Sequence, residues 1–521
     1  MRKLRTMLLA WLLVAAVVLP LAAASPAEQE LYASKHGVFY QIFVRSFADG
    51  DGDGLGDLRG IIERLDYLND GDPQTTSDLG VTGIWLTPIH PSPTYHKYDV
   101  VDYYAIDPEI GTLADFQELI DQAHARGMKV ILDLVCNHTS SQHPWFLAAS
   151  SDPESPYRDY YIWADPETPL TRRGPWNQIV WHPAATGHYY GLFWSEMPDL
   201  NWANPKVREE FKAVAAFWLE QGVDGFRLDA AKHLFEHDPS RKAVDWWLEF
   251  SDFVRSLKPD VYLVGEVWDS PHVVAPYYGA FDSAFNFDLA DRIIPIVRFG
   301  LDTGLVAALL QQHAQYNAYA QGWAIDAPFL SNHDQDRVMS QLFGDWNQAK
   351  MAAAIYLTLP GNPFIYAGEE IGMQGRGEHE NIREPFKWYE LDGPGQTAWR
   401  SSLFNTGRWQ PSVESQDGDP GSLLNHYRRL IHLRLREPAL QLGSLSEVDC
   451  GDNPRIIAYG RRWQDELALV VHNISRQEQE VLLTGVSLPG EILFASGPYS
   501  FELDGPGCSL VLAPCTTVIW K

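Results

Sequence analysis

Cysteine is scarce, with four in 521 residues, and that excludes a disulfide scaffold. Basic residues are few beside acidic ones, 40 against 68, for a formal charge of −28. A field of that sign repels nucleic acid and anionic lipid, and leaves neutral ligands and cations as partners. Long apolar runs are missing beyond the amino terminus. The run there, residues 7–19, is stopped by Pro20 and falls short of the ~20 residues that a membrane span needs. Arg2, Lys3 and Arg5 precede it and Ala22, Ala23 and Ala24 follow it, so residues 1–24 read as a cleavable export signal. The mature chain is expected to begin near Ser25 as a secreted or periplasmic monomer without membrane attachment. Export permits one disulfide. Cys508 and Cys515 flank a short apolar stretch and could bridge a hairpin, whereas Cys136 sits in a strand pattern as a buried free thiol.

What is present suffices for a large core: 45% of the residues are hydrophobic. Short β-rich runs at 38–44, 81–86, 130–135, 223–228, 261–264 and 363–366 alternate with helical patterns. Weaker runs lie at 281–287 and 324–330. Eight strands separated by helices predict an α/β fold of the (β/α)8 barrel type over residues 35–436. One helix shows its grammar fully: Asn204 as cap, Pro205 in the first turn, Val207, Phe211, Val214 and Trp218 on one face, and Gly222 past the end. Residues 139–203 are too long for a connection and rich in Pro, Trp and Tyr, which predicts an excursion domain after strand 3. From about residue 440 to 521, short alternating runs between Gly/Pro turns predict an antiparallel β-sandwich.

Functional side chains of such a barrel belong at the carboxyl ends of its strands. Those ends carry Asn137 and His138, then Arg227 and Asp229 followed by Lys232 and His233, then Glu266, then Asn332, His333 and Asp334. Three carboxylates thus converge on one mouth. Glycoside hydrolysis needs such a set, because one carboxylate must attack as an anion while another delivers a proton to the leaving oxygen. Arg227 and Asp229 alternate along one strand, so the guanidinium can hold the carboxylate as the anion.

Four segments, Asp133-Leu-Val-Cys-Asn-His138, Gly225-Phe-Arg-Leu-Asp-Ala-Ala-Lys-His233, Gly265-Glu-Val-Trp268 and Phe329-Leu-Ser-Asn-His-Asp334, resemble the signature regions of the α-amylase family of glycoside hydrolases. Met197-Pro-Asp-Leu-Asn201 resembles a fifth region, in a form found between oligo-1,6-glucosidases and neopullulanases, and residues 361–368 resemble the family's last barrel strand. The resemblance implies Asp229 as nucleophile, Glu266 as general acid/base and Asp334 as transition-state stabiliser. It implies His138, Arg227 and His333 around the cleaved sugar, with Tyr98 as its aromatic platform. Lys232 and His233 would contact the glucose on the leaving-group side, as in members acting on α-1,4 bonds of starch and maltodextrins. Exo-acting relatives carry an acidic residue three before the platform tyrosine, whereas this chain has Tyr95, which argues for an endo-acting cleft.

A 4-α-glucanotransferase or a neopullulanase/α-glucosidase-like enzyme on the same scaffold stays open. So does a non-catalytic carbohydrate-binding or transporter-accessory protein, although that would not need all three carboxylates. Asp49, Asp51, Asp53 and Asp57 alternate through a glycine-rich loop, the pattern of a calcium loop with the carbonyl of Leu55 as a further ligand, but Gly60 stands where an EF-hand has glutamate. A structural Ca2+ is therefore expected there. Trp163, Trp176, Trp181, Trp194 and Trp202 of the excursion domain either line the cleft or build that domain's own core.

Overall fold

The computed structural model describes residues 25–238, 242–406, 411–484, 490–504 and 507–521. The expected export signal lies outside the described residues.

Seven parallel strands form one curled sheet: β1 (Phe39–Ile42), β2 (Gly83–Leu86), β3 (Lys129–Leu134), β6 (Gly225–Leu228), β7 (Tyr262–Gly265), β8 (Ser283–Ala284) and β9 (Phe364–Tyr366). The intervening β4 (Trp181–Ala184) and β5 (Gly187–Tyr190) form a separate hairpin. The sheet closes on itself. β1 pairs with β9, and the gap between β8 and β9 is filled by residues 327–328, where Phe285 bridges Ala327 and the Phe364 amide donates to the Pro328 carbonyl at 2.9 Å. Alternation along each strand divides the side chains between two cores. Phe39, Trp85, Ile131, Tyr262, Val264, Phe285, Phe329 and Phe364 fill the barrel. Their neighbours Tyr40, Ile84, Val130, Leu132, Phe226 and Leu263 point outward into the larger core under the helices. Each such burial contributes about 1.5–3 kcal/mol.

The helix Pro205–Glu220 begins where its cap requires. The Asn204 side chain accepts from the Lys206 amide, and Val207, Phe211, Val214 and Trp218 are buried. Gly222 follows at φ 98°, a left-handed turn that suits glycine, and feeds the chain into β6. The excursion between β3 and this helix carries the β4–β5 hairpin over a small core of Val180, Trp181, Tyr190 and Leu192. The bridge His138–Asp199 stitches it to the end of β3, and the bridge Tyr161–Leu200 ties the excursion to itself.

After the helix Leu423–Arg436 come two antiparallel sheets. One contains β10 (Ser444–Glu447), β11 (Ile456–Trp463), β12 (Glu466–Asn473), β14 (Ile492–Ala495) and β17 (Thr516–Trp520); the other contains β13 (Gln479–Thr484), β15 (Tyr499–Asp504) and β16 (Gly507–Leu512). Ile456, Leu469, Val471, Leu483, Leu510 and Trp520 pack between them. The opposite face of the larger sheet, with Ile457, Tyr459, Val470 and Ile519, joins the barrel's core. The suggested Cys508–Cys515 bridge does not form, and all four cysteines are free. Cys508 is buried on β16, its backbone in register with Leu483 and Leu503, while Cys515 sits in the following turn at φ 49° with its thiol directed at the Ser475 carbonyl.

Candidate active site

Arg227 is the centre of the mouth. It points inward from β6 and is almost wholly buried. Its Nη1 donates to Asp133 at 2.8 Å and to Asp229 at 2.5 Å, and its Nη2 lies 2.8 Å from Glu266. One cation thus answers three carboxyl groups. Burial is the largest influence on Asp133 and pushes it up to about 6 against the pull of Arg227. Burial likewise raises Asp229, Arg227 opposes, and Glu266 and Asp133 add repulsion. Like charges this close cannot all ionise freely, so the cluster retains a proton that separate carboxylates would release.

The backbone helps to join nucleophile and acid. Ala230, directly after Asp229, takes φ 46°, a left-handed conformation that costs a non-glycine residue on the order of 1 kcal/mol. Its amide donates to Glu266 at 2.9 Å, so the strain is offset by a hydrogen bond to a carboxylate.

A second chain of contacts fixes the platform. The Gln41 amide nitrogen lies 2.7 Å from Nδ1 of His333, so in the neutral ring the proton sits on Nε2. That nitrogen is 2.7 Å from the Tyr98 hydroxyl, which in turn donates to Asp133 at 2.8 Å. The rings of Tyr98 and His333 stack 5.3 Å apart with 4° between their planes. Burial lowers His333 well below its ordinary range and His138 to about 4, so both imidazoles act as neutral hydrogen-bonding groups. Burial alone would raise Asp334. His333 at 3.1 Å and Arg383 at 2.7 Å outweigh it and hold the carboxyl below its usual range.

Seven of the expected residues, Tyr98, His138, Arg227, Asp229, Glu266, His333 and Asp334, therefore share one buried network. Lys232 and His233 stand at its edge. Lys232 donates to the Trp268 carbonyl at 2.6 Å and to Asp269 at 2.9 Å, and His233 meets Glu236 at 2.8 Å. The excursion tryptophans divide. Trp181 and Trp202 are buried and Trp163 packs on Phe146, whereas Trp176 is 58% and Trp194 48% exposed. Trp176 and Phe193 lie 5.5 and 5.7 Å from the His233 ring, and Phe193 is also 5.5 Å from His138.

Sequence reading passed over Gln41, Phe193 and Arg383, and quoted Asp133 without giving it a role. Gln41 and Asp133 had a signal, a polar residue inside an apolar barrel strand. Arg383 had none.

In the glycine-rich loop, oxygens of Asp49, Asp51 and Asp57 come within 4.8 Å of one another. A set of hard carboxylate oxygens suits Ca2+. Asp53 stands outside that group and accepts from the Leu55 amide at 2.7 Å.

A family profile for the alpha amylase catalytic domain matches residues 41–443. The chain is 45% identical to Alpha-amylase 3 of Dictyoglomus thermophilum, over 94% of this chain and 93% of that one. It is 35% identical to a 4-alpha-glucanotransferase of Thermotoga maritima, over 86% of this chain and 98% of the relative. Among solved structures, an α-amylase from H. orenii superposes with a TM-score of 0.87 at 49% identity, covering 93% of this chain and 99% of the other.

Proposed function

This chain belongs to the α-amylase family of glycoside hydrolases, and from that premise we propose that it is an exported endo-α-amylase cutting internal α-1,4 bonds of starch and maltodextrins. Members of the family are retaining hydrolases or transferases acting on α-glucosides. Asp229 attacks the anomeric carbon while Glu266 protonates the departing oxygen, which gives a glycosyl-enzyme intermediate. Glu266 then takes a proton from water as that water displaces Asp229. Asp334, held as an anion, stabilises positive charge on the sugar in both steps. Arg227 contributes by offsetting the charge of Asp229 and Glu266, and Tyr98 presents an aromatic face on the glycone side.

The endo assignment is carried by one observation. Tyr95, which stands where an acidic cap would close the glycone end, is turned onto Trp399 in a stack 5.4 Å apart and brings no carboxylate to the mouth. Exposed Trp176 and Phe193 beyond His233 support a long acceptor side. Digestion of starch tests this reading: iodine colour should collapse while few reducing ends have formed. Steady release of glucose or maltose with persistent colour, or preference for panose over maltopentaose, overturns it. A second reading, transfer to sugar acceptors, is favoured by those same exposed aromatic faces, because a bound acceptor competes with water for the intermediate. Product chains longer than the substrate during maltoheptaose digestion would identify it.

Calcium at Asp49, Asp51 and Asp57 belongs to this proposal as a structural ion, with Asp53 and the Leu55 carbonyl recruited on binding. Export rests on the charged and apolar pattern of residues 1–24.

A further inference from the structure

Arg383 closes the one-turn helix His379–Ile382 in the loop after β9, and it is 3% exposed. Its fork is fully engaged. Nε donates to the His333 carbonyl at 2.9 Å, Nη1 to the Tyr95 hydroxyl at 3.1 Å, and Nη2 to Asp334 at 2.7 Å with His379 Nδ1 at 2.9 Å. It therefore grips two successive residues, one by its backbone and one by its carboxylate. Phe43 and Tyr95 flank the guanidinium with ring centroids 5.3 and 5.7 Å away, which limits its movement.

We propose that Arg383 is the positioning residue for Asp334, fixing that carboxylate's orientation and holding it as an anion in the reacting site. This rests on the role given above to Asp334. A lysine could supply the charge but not three directed contacts from one plane. Tyr95 strengthens the arrangement. Burial raises its phenol, so the group across the guanidinium stays neutral and leaves Asp334 as the anion in contact. The charged or titratable groups acting on Asp334 are Arg383, His333, His379 and Arg227, with Tyr98 and His96 nearby.

The test uses the full chain and a chromogenic aryl maltoside across pH. Arg383→Met should lower kcat about 100-fold, the scale of losing one preorganised electrostatic contact, with KM changed only a few-fold. Without the guanidinium, Asp334 takes up a proton at higher pH, so the acid limb of kcat/KM should move up by about one unit. Arg383→Lys should recover part of kcat and return the limb. Adding Arg383→Met to Asp334→Asn should cost little more, because both act through one carboxylate. An unmoved limb with near-wild-type kcat, or additive losses in the double variant, overturns the proposal. Ordinary turnover by Asp334→Asn would instead refute the role of Asp334 itself. If Arg383→Met fails to melt cooperatively, Arg383→Lys decides: a ten-fold or greater loss of kcat at unchanged melting temperature supports the proposal, and wild-type kcat overturns it.

Discussion

At Glu266 the amide of Ala230 and the guanidinium of Arg227 meet one carboxyl oxygen, and the chemistry asks that carboxyl to give up a proton. Glu266→Gln keeps the shape and removes the proton. Turnover of natural glucans should fall by a factor of about 10³, while aryl glycosides whose leaving groups need little protonation are cleaved far better. Equal losses on both substrates would remove Glu266 from the role. A different carboxyl tests burial alone. Glu369, just after β9, accepts from Tyr356 at 2.9 Å and Tyr427 at 2.8 Å, and burial pushes it up to about 8. The folded state then binds a proton that the unfolded chain releases between the ordinary glutamate range and pH 8. Stability should fall as pH rises through that window. Glu369→Gln can still accept both phenols, so its melting temperature should depend less on pH and exceed that of the wild type at pH 8. Identical pH profiles for the two proteins would contradict this.

Among the elements, the helix Pro205–Glu220 was fully legible, since cap, apolar face and terminal glycine are all local signals. The weak runs were weak for a physical reason. Strand β8 is only Ser283–Ala284, because Asn286 already caps the helix Phe287–Phe299 by accepting from Leu289. Residues 324–330 join the barrel by a single bridge and a few amide contacts, so no sustained alternation is required of them. The acidic loop makes its prediction at this scale. Asp57 caps the helix Leu58–Glu63 through the Gly60 amide, so an ion bound beside it would stabilise both loop and helix. Chelator should lower the melting temperature and added calcium restore it, by mass action on the folded state. A variant Asp51→Ala with unchanged melting and unchanged chelator response removes the site.

Across the whole molecule, the carboxyl-terminal sheets are not an independent appendage. Tyr459 and Arg461 on β11 bond to Thr358 at the end of a barrel helix, the hydroxyl at 2.6 Å and the guanidinium at 2.5 Å. Ile457, Val470 and Ile519 share the barrel's apolar core. Removing that sheet would expose core surface, so calorimetry should show barrel and carboxyl-terminal sheets unfolding in one transition. Two resolved endotherms would mean that the shared core does not couple them.

Strand ends are local, and in a parallel barrel they all lie on one face, which is why the sequence alone determined Asp229, Glu266 and Asp334 as neighbours. Partner choice within that neighbourhood was decided only by tertiary structure. Arg227 could be read as a partner of Asp229, two residues away, but not as the shared cation of Asp133 and Glu266. The contact of Arg383 with Asp334 spans 49 positions from a loop with no periodicity. Hydrogen bonds over such separations leave no local pattern, because the fold and not the chain brings their ends together.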